Sequence, residues 1–124
     1  MNYVDSYRDL EVYKLCRQLS KEIFELSRAS PKEEMYSLTD QIRRSSRSIG
    51  AQIAEAWAKR KYEKHFVSKL TDADGEQLET QHWIDTSVDC LYISPTIADK
   101  LSEQYTYVGR MLYSMIDKSS SFCG

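Results

Sequence analysis

Glu79 and His82 stand three residues apart, a spacing that helical bundles use to bind metal ions because i and i+3 side chains share one helical face. A di-metal site needs two such pairs and a carboxylate from each remaining helix. The only other histidine, His65, has no glutamate three residues before it. We therefore expect neither a metal site nor a cofactor.

The acidic residues around Gly75 resemble the start of a calcium-binding loop, with Asp72 and Asp74 just before the glycine. An EF-hand loop has its glycine at position six, whereas here, counting from Asp72, it stands at position four. The sequence also contains no nucleophile elbow, zinc-protease motif or glycine-rich phosphate loop. We predict that the protein is not an enzyme.

Basic residues are concentrated in the middle of an acidic chain. Residues 43–69 hold eight basic and two acidic side chains, a net charge of +6, although the whole chain carries -2. The candidate nucleic-acid-binding residues are Arg43, Arg44, Arg47, Lys59, Arg60, Lys61 and Lys64. They form either an ordinary solvated face or a phosphate-binding strip, with Trp57 and Tyr62 available for base stacking.

These residues must be positioned by helices, because apolar side chains recur every three or four residues along most of the chain. The pattern predicts one domain over residues 1–124, with helices at roughly 9–28, 31–58, 61–92 and 95–118 and a flexible tail at 119–124. Serine followed by proline at positions 30 and 94 predicts two helix starts, each with a serine cap. The short connections favour antiparallel neighbours, hence an all-α, up-down-up-down four-helix bundle.

The apolar stripes give the predicted core. The members are Val12, Cys16, Leu19, Ile23 and Leu26 in the first helix; Leu38, Ile42, Ser45, Ile49, Ile53 and Ala56 in the second; Phe66, Leu70, Ala73, Leu78, Ile84, Val88 and Leu91 in the third, which begins near Tyr62; and Ile97, Leu101, Tyr105, Val108, Leu112 and Met115 in the fourth. Gly75 is expected to cause a local irregularity in the third helix. Of the three cysteines, Cys16 and Cys90 are expected to be buried, and Cys123 lies in the tail.

Small residues replace bulky ones on the side of the second helix opposite its stripe. Gly50, Ala51 and Ala54 would let another backbone approach closely, so we interpret them as a candidate contact between subunits. An alanine-tolerant surface is the alternative.

The composition, 41% apolar and 29% charged, is that of a globular protein. No apolar run reaches the roughly 18 to 20 residues that span a bilayer. Residues 1–10 include Asp5, Arg8 and Asp9 and lack the apolar centre of a signal peptide. We expect a cytoplasmic protein without membrane contact or a small-molecule substrate.

Three segments carry a family resemblance: DLEVYKL at 9–15, LTDQIRRS and SIGAQIAE within 38–55, and LETQ at 78–81. They resemble the four-helix-bundle family encoded by intervening sequences in bacterial large-subunit ribosomal RNA genes, which is similar in fold to accessory proteins of diversity-generating retroelements. The resemblance implies a ring-like homopentamer that associates with RNA, or with an RNA-handling protein, through a basic surface.

Two functional hypotheses follow. In the first, the protein is a non-enzymatic oligomeric bundle that binds RNA through its basic residues. In the second, its ring is a structural adaptor for another protein, and the arginines form ion pairs between subunits. Phosphate binding should weaken steeply with salt, and this dependence distinguishes the two.

Overall fold

The computed structural model describes residues 4–124; residues 1–3, the start of the segment that we expect not to be a signal peptide, lie outside them. The helices are α1 (Glu11–Ser27), α2 (Asp40–Ala58), α3 (Glu63–Asp89), α4 (Pro95–Asp117) and α5 (Ser119–Phe122), with 3-10 turns at Tyr7–Asp9 and Lys32–Glu34 and a π-helical turn at Met35–Thr39. No strand occurs in this part of the chain. The predicted all-α fold with four long helices is confirmed. None of the helices within residues 4–124 is long and apolar enough to cross a membrane.

The second and third long helices are antiparallel neighbours with the most extensive contact in the bundle. Near one end, Arg44 and Glu79 form an ion pair of 2.9 Å. Near the other, Lys69 pairs with Glu55 at 3.0 Å. Later residues of α2 thus pair with earlier residues of α3, so the two helices run in opposite directions.

The contact between α1 and α2 gives the same antiparallel relation. In α1 and α2, Nε of Arg43 donates to Oγ of Ser27 at 2.7 Å, near the end of α1. The contact between α1 and α4 is sparse, and an apolar groove of about 440 Å³ lies between them. The first helix is therefore held chiefly by α2.

The predicted stripes of α1, α2 and α4 form the core with few changes. In α1, Val12, Cys16, Leu19 and Ile23 are buried, whereas Leu26 is half-buried. Leu38, in the π-helical turn, and Ile42, Ser45, Ile49, Ile53 and Ala56, in α2, are all buried. In α4, Leu101, Tyr105, Val108, Leu112 and Met115 are buried, as predicted. The predicted burial of Ile97 is wrong, because its side chain is 41% exposed. Ala98, three residues before Leu101, takes the core position instead.

The predicted stripe of α3 is wrong in its C-terminal half. Leu78 is 56% exposed, Leu91 also faces solvent, and Val88 is only half-buried. The buried residues of α3 are Phe66, Leu70, Ala73, Gln77, Thr80, Ile84 and Ser87, which keep a regular 4-3 spacing. Polar side chains thus occupy core positions for which we predicted apolar residues. Their burial is possible because they are hydrogen-bonded, as between Thr80 Oγ1 and Ser45 Oγ at 2.9 Å.

Helix α3 ends at a Schellman motif centred on a leucine. The N–H of Tyr92 donates to the carbonyl of Ser87 at 2.8 Å, and the N–H of Leu91 donates to that of Val88 at 2.9 Å. Leu91 has φ of +65°, the left-handed conformation that glycine usually supplies at this position. Cys90, just before it, is exposed, so its predicted burial is wrong: it lies past the last core-facing turn.

The two serine–proline helix starts have different outcomes. Oγ of Ser94 accepts from the N–H of Ile97 at 3.2 Å, so this cap is confirmed. At Ser30 no capping bond forms, because Pro31 is in an extended conformation and begins a 3-10 turn instead. The predicted second helix therefore starts as a 3-10 turn and a π-helical turn, and becomes α-helical only at Asp40.

Gly75 does not interrupt α3. The helix is continuous through it, and a Cβ placed there would meet no atom within 4 Å. The expected irregularity is wrong because an exposed glycine weakens a helix without bending it when both flanks are packed.

The C-terminal segment forms a short helix, α5, that packs against the core. Ser119 Oγ donates to Oε2 of Glu63 at 2.8 Å, and the ring of Phe122 stacks on that of Phe66 with centroids 5.8 Å apart. The N–H of Gly124 donates to the carbonyl of Arg60 at 3.2 Å. We predicted a frayed tail from its serines, but Phe122 gives this segment an apolar anchor against the core.

Candidate nucleic-acid interface

A groove of about 830 Å³ lies between α1 and α2, and we call it the α1–α2 groove. Its walls are formed by Tyr7, Tyr13, Cys16, Arg17, Gln18, Ser20, Lys21, Phe24, Ser46, Arg47, Gly50, Ala51 and Ala54. Short side chains on α2 leave the space open. Longer polar and aromatic side chains come mainly from α1.

The α1–α2 groove is positively charged. Arg17, Lys21 and Arg47 line it, and no carboxylate occurs among the lining residues that the structure describes. Arg47 and Lys21 are exposed, so their charged groups are available to an anion in solution. The groove therefore favours an anionic ligand.

Phe24, at one end of the groove, lies at the centre of an arginine cluster. The guanidinium carbons of Arg43, Arg28 and Arg47 lie 4.6 Å, 4.9 Å and 5.5 Å from its ring centroid. Such cation–π contacts hold guanidinium groups over a ring without neutralising their charge. Of the three, Arg28 is also paired with Glu25 at 3.8 Å. The hydrogen bond from Arg43 to Ser27 further fixes this arrangement, because Ser27 Oγ itself donates to the carbonyl of Phe24 at 2.8 Å.

Tyr13, at the other end, is held on several sides. Its ring meets that of Tyr7 edge-to-face with centroids 4.9 Å apart, and its hydroxyl accepts from Nη1 of Arg17 at 3.4 Å. A Cβ at Gly50 would lie 3.5 Å from the Tyr13 ring. Gly50 thus provides space beside a tyrosine of its own chain.

The other two candidate interface residues, Ala51 and Ala54, lie along the wall of the groove. Ala51 is exposed and Ala54 is half-buried. Their small side chains are what keeps the α2 wall low.

The three candidate arginines of α2 have different partners. Arg43 and Arg47 face the α1 side, over Phe24. Arg44 turns towards α3, where Nη2 donates to Oε2 of Glu79. Trp83 Nε1 donates to the same oxygen at 3.1 Å, so Glu79 is engaged on α3. No group of three or more potential metal ligands occurs within residues 4–124.

The remaining candidates form a separate cluster at the turn between α2 and α3. Lys59, Lys61 and Lys64 are exposed, and the guanidinium of Arg60 lies 3.7 Å from the ring centroid of Trp57. Arg47 and Lys59 stand twelve positions apart, which is about 18 Å along a helix. The candidate residues therefore form two clusters, rather than the continuous strip that was one of our two interpretations.

Sequence reasoning missed the contribution of α1. Tyr13, Arg17, Lys21, Phe24 and Arg28 recur every three or four residues and so share one face of the helix. This periodicity was available as a signal, but we examined α1 only for its apolar stripe.

Comparisons with known proteins agree with this helical architecture. A family model described as 23S rRNA-intervening sequence protein matches residues 8–114. A solved structure of a protein with unknown function from the S23 ribosomal protein family of Bacteroides thetaiotaomicron VPI-5482 has a TM-score of 0.76 and 27% sequence identity, covering 86% of this chain and 95% of that one. No curated protein matches the sequence. The resemblance inferred from the sequence segments is confirmed.

Proposed function

The chain belongs to the 23S rRNA-intervening sequence protein family, and from that premise we propose that it is a non-enzymatic, cytoplasmic protein that binds RNA through the α1–α2 groove. The observation that supports this most is the convergence of Arg17, Lys21 and Arg47 on one groove without a carboxylate. On a chain of net charge -2, such a concentration of positive charge is local. Phosphate groups are the ligands that complement it.

Arginine is well suited to this role, because its planar guanidinium can form two parallel hydrogen bonds with a phosphate. Arg43 and Arg47 contact an aromatic ring and no carboxylate among residues 4–124. Their charge remains available to RNA. Arg44, in contrast, is compensated by Glu79.

The lysines at the α2–α3 turn extend this surface. Because α1 and α2 are antiparallel, the end of α2 lies at the same end of the bundle as Tyr7 and Tyr13. An RNA that leaves the groove at this end reaches Lys59 and Lys61, both exposed. We assign them a secondary role in affinity.

Binding of a fluorescein-labelled RNA, measured by anisotropy over a salt series, tests the proposal. Arg47→Gln should weaken binding and reduce the slope of log Kd against log salt by about one, because one phosphate contact is lost. Arg44→Gln is the matched control: it removes the same charge from the same helix, but one already paired, so its effect should be much smaller. Wild-type protein that binds no RNA at low salt would refute the proposal.

A homo-oligomeric adaptor is the second candidate, favoured by the low wall that Ala51 and Ala54 form. A neighbouring subunit, in the ring of five that the family resemblance implies, could approach closely there. Ala54→Arg would then dissociate the assembly, because a long charged side chain would have to enter the contact. Mass in solution by light scattering distinguishes the cases: an unchanged mass excludes this wall as a subunit contact.

A further inference from the structure

We propose that the α1–α2 groove binds a single strand of RNA, with unpaired bases stacked on its aromatic and guanidinium groups and phosphates on its cations. This inference rests on the proposed function and adds the form of the nucleic acid. It follows from where the rings lie relative to the charges.

The rings are recessed. Tyr7, Tyr13 and Phe24 line a concave space and are half-buried between the helices. A duplex presents its phosphates outwards and keeps its bases stacked inside, so it would meet the rim cations but not these rings. Unpaired bases can turn outwards and stack on aromatic side chains or guanidinium planes. The recessed rings therefore favour a single strand.

The order of groups along α1 matches an extended strand. Aromatic rings lie at both ends, at Tyr13 and Phe24, and the cations Arg17 and Lys21 lie between them. Eleven residues separate the two rings, which is about 16 Å along a helix.

The stacking surfaces are already in place. Tyr13 is fixed by the ring of Tyr7 and by the hydrogen bond from Arg17. Around Phe24, the guanidinium of Arg43 is held by its bond to Ser27. Groups ordered before binding lose little conformational entropy when a base arrives, so more of the stacking energy appears as affinity.

The test compares one mixed-sequence RNA strand, designed without self-pairing, with the duplex that it forms with its complement. Wild-type protein should bind the strand at least about tenfold more tightly. Phe24→Leu should weaken binding of the strand about tenfold, since base–aromatic stacking is worth about 1 to 3 kcal/mol per base. It should leave the salt slope unchanged, because no charge is lost. Tyr113→Leu, at a 71% exposed tyrosine of α4, is the control and should bind as wild type.

Tyr7→Leu is a second variant, outside the long helices, in case Phe24→Leu fails to fold; circular dichroism checks both. Equal or tighter binding of the duplex would overturn this inference and leave the proposed function standing. Unchanged affinity in the folded leucine variants would also overturn it, as would a subunit that fills the groove. Binding of neither RNA would refute both proposals.

Discussion

The hydroxyl groups of Thr80 and Ser45 lie 2.9 Å apart in a hydrogen bond that joins α3 to α2 inside the core. Both residues are fully buried, and Thr80 Oγ1 lies equally close to the carbonyl of Glu76. Most of the buried side chains around this bond are apolar. The bond pairs Thr80 of α3 with Ser45 of α2.

Removal of either hydroxyl should destabilise the protein. Thr80→Val and Ser45→Ala should each lower the free energy of unfolding by about 1 kcal/mol, because a buried hydrogen bond is lost. The double variant should lose less than the sum, since neither position then has an unpaired partner. Urea unfolding followed by circular dichroism measures all four proteins. Strict additivity would show that the two hydroxyls do not interact.

Two glycines should respond in opposite ways to alanine. Gly75→Ala should raise the free energy of unfolding by about 1 kcal/mol, because the position is exposed, helical and free of neighbours within 4 Å. Gly109→Ala should gain less or destabilise, since its Cβ would lie 3.0 Å from Nε2 of Gln77 and 3.1 Å from Oδ1 of Asp74. Thermal unfolding compares them. An equal rise in Tm for both would contradict the close packing of α4 on α3 at Gly109.

Replacing Leu91 with glycine should increase the stability of the protein. The left-handed conformation costs an L-residue roughly 1 to 2 kcal/mol, whereas glycine adopts it freely but loses more entropy on folding. We expect Leu91→Gly to stabilise the protein by about 0.5 to 1 kcal/mol. Leu91→Ala is the control: the side chain is 89% exposed, so shortening it should change little. Equal stability of the two variants in urea would mean that the turn carries no strain.

Glu76 should make stability depend on pH. Burial and the neighbouring Glu79 raise the pKa of its carboxyl above the usual 4.5, against a smaller lowering by Arg44. Since the folded pKa exceeds the unfolded one, ionisation of Glu76 opposes folding. This cost is absent below the unfolded pKa and develops as pH rises through the folded one. Glu76→Gln should therefore raise Tm at pH 7 but not at pH 4.

The control for this prediction is Glu103→Gln, on the exposed side of α4. Its effect on Tm should be small and similar at both pH values. A gain from Glu76→Gln that persists undiminished at pH 4 would exclude the carboxyl charge as its cause.

The sequence predicted most of the fold because hydrophobic periodicity is direct in α1, α2 and α4. It was wrong in the second half of α3, where Gln77 and Thr80 hold core positions. A buried polar residue becomes acceptable only when a partner lies opposite it, as Ser45 does. That partner is 35 residues away, and no local pattern contains it.

The candidate site was predictable only in part, for a related reason. The orientation of Arg43 and Arg47 away from the α2 stripe follows from helical spacing. That Arg47 converges with Arg17 and Lys21 of α1, while Arg44 pairs with α3, depends on which helix packs on which side. The π-helical turn before α2 could not be predicted from the sequence either, because it depends on how that segment is packed.

The thin contact between α1 and α4 means that the bundle does not have uniform local stability. A helix packed chiefly on one neighbour opens before those packed on two, so the amides of α1 should exchange with solvent through local unfolding at less cost than those of α3. Half of the α1–α2 groove belongs to this less protected helix. A ligand that spans both walls would therefore slow hydrogen exchange throughout α1, well beyond the residues that it touches.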